Sequence, residues 1–233
     1  GRAFCEGLAK EGAKVLSVTR KDIQGLEDTI KSVRALGAEG EYLQIDVTSK
    51  ADCDKMVKFA IDRFGKIDIL INNAAVYFGL ERRPFYEIGE DEWDQAMTVN
   101  VKGSWLATIA VFPYMKQAGK GKIINMTSEV FFTGSTGFVH YVATKGAVIG
   151  LTRALAIELG PHNICINAVA PGFTDTEASR TIASVEKYDT SKTPLRRVGK
   201  AEDIVGATLF LCSDDADFIT GQTVLVDGGR AMH

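Results

Sequence analysis

The stretch 128–145, SEVFFTGSTGFVHYVATK, carries a hydroxyl at Ser128, a phenol at Tyr141 and a primary amine at Lys145. If residues 138–160 form a helix, Tyr141 and Lys145, four residues apart, lie one above the other on one face. A phenol titrates near ~10, so proton exchange near neutrality needs a shift of roughly three units, or ~4 kcal/mol. A fixed ammonium about 4 Å away supplies energy of that order at an effective dielectric of ~20. The pattern therefore describes a proton-transfer pair, with Ser128 able to donate a hydrogen bond to a substrate oxygen beside Tyr141. An isolated Y-x-x-x-K is more commonly a core-edge tyrosine and a solvated lysine, and spacing alone does not separate the two readings.

The elements that must position these side chains alternate along the chain. Residues 1–12 read as a helix in progress, with Phe4, Leu8 and Ala9 on one side and Gly12 as its stop. A short strand at 14–18 follows, and Asp22 can cap a helix whose apolar positions are Ile23, Leu26, Ile30 and Val33. A strand at 42–46 leads to Ser49-Lys50-Ala51-Asp52, which has the form of a capping box. Beyond it Cys53, Met56, Val57, Ala60, Ile61 and Phe64 repeat at helical spacing until Gly65. The predicted order continues as strand 67–71, helix 91–116, strand 122–126, the Tyr141 helix, strand 164–169, helix 201–212 and strand 223–226. Such alternation predicts crossovers and a parallel sheet. Residues 171–193 are polar and without period, a length reserved for lids or disorder.

Composition excludes several function classes. The 233 residues, 45% apolar and 24% charged, suffice for one large α/β domain, and no repeat or linker divides it. A net charge of -3 with only short cation pairs, Arg82-Arg83 and Arg196-Arg197, offers nothing to nucleic acid. Cys5, Cys53, Cys165 and Cys212 form no C-x-x-C pair, and His140, His162 and His233 have no metal-ligand spacing, so no metal is expected. Reduced thiols, no apolar run of ~18 residues and no signal peptide predict a cytoplasmic protein with no membrane partner and a small-molecule substrate.

Several motifs stand in one order: NNAA at 72–75, Val99-Asn100, Ser128, Y-x-x-x-K at 141–145, Pro171-Gly172 and a closing VDGG. Together, with Ser128 placed 13 positions before Tyr141, they resemble the short-chain dehydrogenase/reductase family over essentially the whole chain. The resemblance implies a Rossmann-like doubly wound parallel sheet in three α/β/α layers, as a single NAD(P)-binding domain over 1–233. It implies an oxidoreductase interconverting a ketone or aldehyde with an alcohol, and a catalytic set of Asn100, Ser128, Tyr141 and Lys145. Tyr141 would be the general acid/base, Lys145 would lower its pKa and bond the nicotinamide ribose, and Ser128 would position the reacting oxygen. Asn100 would hold a water linking Lys145 to solvent, or pin its own helix backbone. These allocations suit hydride chemistry, because an alkoxide formed from a ketone needs a donor and a proton at one place.

By the same resemblance Asp46 and Val47 contact the adenine, and Asn73 and Ala74 belong to the loop beside the adenosine ribose. Ala75 replaces the family's usual glycine there. Pro171, Gly172 and Thr176 match the segment that touches the carboxamide, although Thr176 also reads as a solvent-facing loop hydroxyl. At the end of the second strand, Thr19 and Arg20 stand where an acid would select NAD. A hydroxyl followed by a guanidinium favours a 2′-phosphate and hence NADP, with NAD possible as well.

The substrate is less legible. Val130, Phe131, Phe132, Phe138, Val139 and His140 flank the catalytic pair and could line an apolar pocket, core or subunit interface, with His140 about 100° away from Tyr141 on the helix and so an edge or interface residue rather than a catalyst. The run 131–158, residues 176–179 and terminal His233 resemble members acting on aromatic or alicyclic substrates. The overall pattern is equally close to reductases of 3-oxoacyl thioesters. A non-catalytic scaffold with this fold is the alternative from another class. A homo-dimer or homo-tetramer is implied, through the helices near 91–116 and from 138.

The family opens with a strand and a T-G-x-x-x-G-x-G turn, and Gly1 matches that turn's last glycine. About 13 to 20 residues of the pattern would then be absent. The reading expects a sheet lacking its first, central strand and most of the turn, with a slot through the core and weak cofactor affinity if the chain starts at Gly1.

Overall fold

A computed structural model of the chain describes residues 1–77 and 80–232. Helix α1 (Arg2–Lys10) leads to strand β1 (Val15–Thr19), helix α2 (Ile23–Ala35), β2 (Gly40–Gln44), α3 (Lys50–Phe64) and β3 (Ile69–Asn72). Helix α4 (Glu90–Met97) passes through a π-helical turn (Thr98–Lys102) into α5 (Gly103–Ala118), followed by β4 (Gly121–Met126), α6 (Val130–Thr133) and α7 (Val139–Leu159). The remainder is β5 (Ile164–Pro171), β6 (Thr174–Asp175), α8 (Glu177–Arg180), β7 (Gly199–Lys200), α9 (Ala201–Cys212) and β8 (Thr223–Val226).

Local chemistry sets the helix ends. The Asp22 side chain accepts from the Gly25 amide at 2.9 Å at the start of α2. Ser49 accepts from the Asp52 amide at 3.2 Å at the start of α3. The capping box expected there is half made, because the Asp52 carboxylate accepts instead from the Asp46 amide at 2.8 Å. Gly65 closes α3 at φ 81°, a left-handed conformation that glycine adopts without a Cβ clash.

Among the described residues all strand pairing is parallel, in the order β3-β4-β5-β8 with separate β1-β2 and β6-β7 pairs. Adjacent residues of β4 point to opposite faces. Ile123, with Ile164 and Ile166 of β5, packs against Met56, Leu106, Val111 and Leu159 from α3, α5 and α7. Ile124 and Met126, with Val169, pack against Ile204 and Leu211 of α9. Two cores on the two faces of one sheet give the three-layer arrangement expected from the sequence. β1 and β3 are not paired with each other, and both line a cavity of about 1880 Å³, where the sequence reading puts the sheet's central strand.

Two expectations are corrected here. The polar segment 171–193 is structured in its first part, though 181–193 hold no helix or strand: β6 pairs with β7, and the Thr176 hydroxyl accepts from the Ser179 amide at 3.1 Å to cap α8. His140 is not at an edge or interface, since it is fully buried with Nε2 3.2 Å from a Glu92 carboxylate oxygen on α4. That approach lacks hydrogen-bond geometry, and neither ring nitrogen has a hydrogen-bond partner among the described residues. It is an ion pair only when the ring is protonated.

Candidate active site

Helix α7 carries Tyr141 and Lys145 and is tied to the sheet by buried polar contacts. The Thr127 hydroxyl, just beyond β4, donates to the Lys145 carbonyl at 2.8 Å. Asn72 of β3 donates to the Asn125 side chain of β4 at 2.8 Å, and Asn125 donates to the Thr152 hydroxyl of α7 at 2.9 Å. Each buried amide thereby finds a partner, and the rotation of α7 on the sheet is fixed.

With α7 held in this way, the Lys145 side chain runs inward beneath Tyr141. Its ammonium donates to the Met126 carbonyl at 2.8 Å and lies 5.4 Å from the centre of the Tyr141 ring. Burial lowers Lys145 to about 8. Burial pushes the Tyr141 phenol above its ordinary value, Tyr77 adds to the rise, and a hydrogen bond with Ser128 opposes it. The expected lowering of the phenol by Lys145 is therefore not the net result in this geometry. Desolvation is the largest influence on the phenol, and Lys145 is not among the groups that lower it.

Ser128 follows the end of β4, beside the end of β5. Its hydroxyl faces the Tyr141 phenol, with longer contacts of 3.5 Å to the Pro171 carbonyl and 3.4 Å from the Val130 amide. Ser128 and Tyr141 therefore present adjacent hydroxyls to one place in the cavity. Asn100 sits in the π-helical turn and is 2% exposed. Its side chain accepts from the Val76 amide at 2.6 Å and donates to the Val76 carbonyl at 3.3 Å and the Thr144 hydroxyl at 3.1 Å. The side chain pins backbone, as one of its two readings held, but it is the backbone of the loop after β3 rather than its own helix.

The cavity gathers the other residues singled out from the sequence. Gly1, Thr19, Arg20, Asp46, Val47, Asn73, Ala74, Ser128, Tyr141, Lys145, Pro171, Gly172 and Thr176 all line it, whereas Asn100 stands behind its wall. Arg20 lies 3.5 Å from Asp46 in a half-exposed ion pair, and the same carboxylate accepts from the Thr48 amide and hydroxyl at 2.9 and 2.7 Å. A side chain at Gly172 would place its Cβ 2.8 Å from the Asp227 Cα, so β5 and the end of β8 approach only because the residue is glycine.

This donor set suits a dinucleotide. An acid and a guanidinium stand at one sheet edge, exposed backbone at 73–75 lies between, and a buried ammonium with two uncommitted protons stands beside the phenol.

Of the six residues flanking the pair, only Val130 and Phe138 line the cavity. Phe131 is directed at Gly146 of α7, and its ring is 5.1 Å from that of Phe132. The sequence reading did not single out Tyr77, whose ring centre is 5.1 Å from that of Tyr141, nor Thr144, nor Glu129. Glu129 could have been noticed as the one charge in an otherwise uncharged run, 127–139. His233 lies outside the described residues. Among the described residues no group of side chains is arranged to hold a metal, and no helix is long and apolar enough to cross a membrane.

Comparison with known proteins adds to this geometry. A family model described as "Enoyl-(Acyl carrier protein) reductase" matches residues 1–231. The human "Dehydrogenase/reductase SDR family member 4" is 38% identical, over 98% of this chain and 82% of its own length. The 3-oxoacyl-[acyl-carrier-protein] reductase FabG of Staphylococcus epidermidis is 35% identical, over 100% of this chain and 94% of its own. Among solved structures, levodione reductase superposes with a TM-score of 0.90 at 32% identity, covering 99% of this chain and 92% of that one.

Proposed function

This chain belongs to the short-chain dehydrogenase/reductase family, whose members named above are dehydrogenases and reductases, and from that membership we propose an NADP(H)-dependent enzyme interconverting a ketone or aldehyde with an alcohol. The observation that carries this reading is the meeting of Ser128, Tyr141 and Lys145 in the same cavity as Arg20, Asp46, Asn73 and Gly172. A nicotinamide bound here would supply or accept the hydride. Arg20 and Thr19 would hold the 2′-phosphate, Asp46 and Val47 the adenine, and Asn73, Ala74, Pro171, Gly172 and Thr176 the remainder. The half-exposed pair of Arg20 with Asp46 is worth little on its own, so the guanidinium is free to turn to a phosphate.

In reduction the substrate carbon gains hydrogen with two electrons, and its oxygen gains a proton. Tyr141, held protonated at neutral pH by burial, donates that proton. Ser128, beside the phenol, donates a hydrogen bond to the same oxygen and draws off its developing charge. Lys145, near 8, can lose and regain a proton around neutrality and so restore Tyr141. Asn100 acts from behind, by holding the Val76 loop against α7. The active assembly is a homo-dimer or homo-tetramer.

The test is a panel holding an alicyclic ketone, an aromatic aldehyde and a 3-oxoacyl thioester, followed by absorbance with NADPH and with NADH. Turnover with preference for NADPH is expected. Tyr141→Phe should lower it by about 10²–10⁴-fold. A Tyr141→Phe enzyme with most of its rate intact would overturn the assigned role.

A further inference from the structure

Glu129 follows Ser128 directly and is 5% exposed, yet it lines the same cavity as Ser128 and Tyr141. Its amide donates to the Pro171 carbonyl at 3.0 Å, which fixes the backbone at the ends of β4 and β5. One carboxylate oxygen, Oε2, accepts from the Thr133 hydroxyl at 2.7 Å. The other, Oε1, accepts no hydrogen bond among the described residues. Oε1 is not among the fully buried unpartnered atoms, so it keeps access to the cavity, where a donor can complete it. Burial raises Glu129, and its charge in turn raises the Tyr141, Tyr77 and Tyr188 phenols, so it stands near the reacting end of the cleft.

We propose that Glu129 is a specificity-determining residue whose free oxygen accepts a hydrogen bond from a hydroxyl neighbouring the reacting carbonyl, so that the enzyme prefers α-hydroxyketones and the matching vicinal diols. The proposal rests on the carbonyl-alcohol reading above and narrows it. Ser128 and Glu129 both line the cavity, and Glu129 stands close enough to Tyr141 for its charge to act on the phenol.

The charges around the cleft decide what kind of donor is read. Arg82, Lys192 and Arg230 line the same cavity, so a cationic substrate group would meet like charge. A second carbonyl has no proton to offer the open acceptor. A neutral hydroxyl satisfies it and introduces no charge. Tyr188, stacked 4.1 Å from Phe173 and 5.3 Å beneath the Arg230 guanidinium, supplies a flat wall there.

The experiment compares 3-hydroxybutan-2-one, 3-methoxybutan-2-one and butan-2-one as substrates for the full chain, with kcat and KM measured separately. For the unsubstituted protein, kcat/KM should be at least about tenfold higher for the hydroxyketone than for the other two, mainly through KM. In Glu129→Leu that preference should vanish while butan-2-one stays within about twofold. Glu129→Gln, whose amide oxygen still accepts, should keep part of the preference. Equal use of the hydroxy and methoxy ketones by the unsubstituted protein overturns the proposal without any variant. So does a Glu129→Leu enzyme that retains the preference or loses all three substrates equally. If butan-2-one and the panel above are all refused, the carbonyl-alcohol reading falls, and this proposal with it. If they are reduced without discrimination, only the proposal falls.

Discussion

Lys145 is a cation held in the protein interior by one hydrogen bond, and its free energy depends on pH in a definable way. Its folded value, about 8, is below that of an unfolded lysine near ~10.4. The unfolded chain therefore binds more protons between these values, and stability rises with pH across the window. Below about 8 the full penalty is present, and it is relieved as pH climbs toward ~10.5. A displacement of that size corresponds to roughly 3 kcal/mol. Lys145→Met removes the penalty but leaves the Met126 carbonyl unpaired, at a cost of about 1–3 kcal/mol. At pH 7 the variant should be as stable as the parent or slightly more so. Between pH 7 and 10.5 the difference should move in the parent's favour by about 2–3 kcal/mol, as read from urea unfolding at both values. A difference that does not change with pH would show that no buried ammonium is present. The same burial that makes this residue a burden to the fold brings its proton equilibrium near neutrality, which is where the proposed chemistry needs it.

The helix that runs from α4 through the π-helical turn into α5 couples two other elements through Asn100, which ties the Val76 loop to Thr144 on α7. Asn100→Ala should leave the Val76 amide and carbonyl without their buried partner and lower stability by about 2–3 kcal/mol, measured as a shift in the thermal midpoint. Asn100→Asp should not restore it, because a carboxylate cannot donate to Val76 or Thr144. A midpoint unchanged in Asn100→Ala would remove the clasp from the account. Helix α9 and strand β8 were legible in the sequence to the residue, because each follows from local periodicity bounded by clear breaks. The Asp22 cap was legible for the same reason. What was not legible depends on partners outside the element concerned. Asp52 turns from its own helix to the Asp46 amide, His140 is covered by Glu92 of α4, and β6 has order because β7 returns to it. The residues lining the cleft could be named from motif spacing. The direction in which burial moves Tyr141 could not, because it depends on how much of the molecule closes over the ring.

At the scale of the whole molecule, α5 and α7 expose Trp105, Ile109, Tyr114 and Ile157, the last at 79%. Single exposed apolar residues are ordinary, but a set of this size on two long helices is costly to leave in water. Light scattering should give a mass of at least two chains of 25.2 kDa, and Ile157→Asp should lower it toward one. A mass near 25.2 kDa for the unsubstituted chain would rule out the proposed assembly. The strand order has a kinetic consequence as well. β4 pairs with β5 from Gly121↔Ile164 onward, and β5 with β8 from Ala168↔Thr223 onward, so each joins segments more than forty residues apart. Such loops must close before any pairing rewards them, which slows folding relative to locally connected folds. Ser128, Glu129, Pro171 and Gly172 all sit where these strands end. The reacting end of the cleft is therefore among the last features to assemble, and recovery of catalysis, rather than of helical signal, marks the completed molecule.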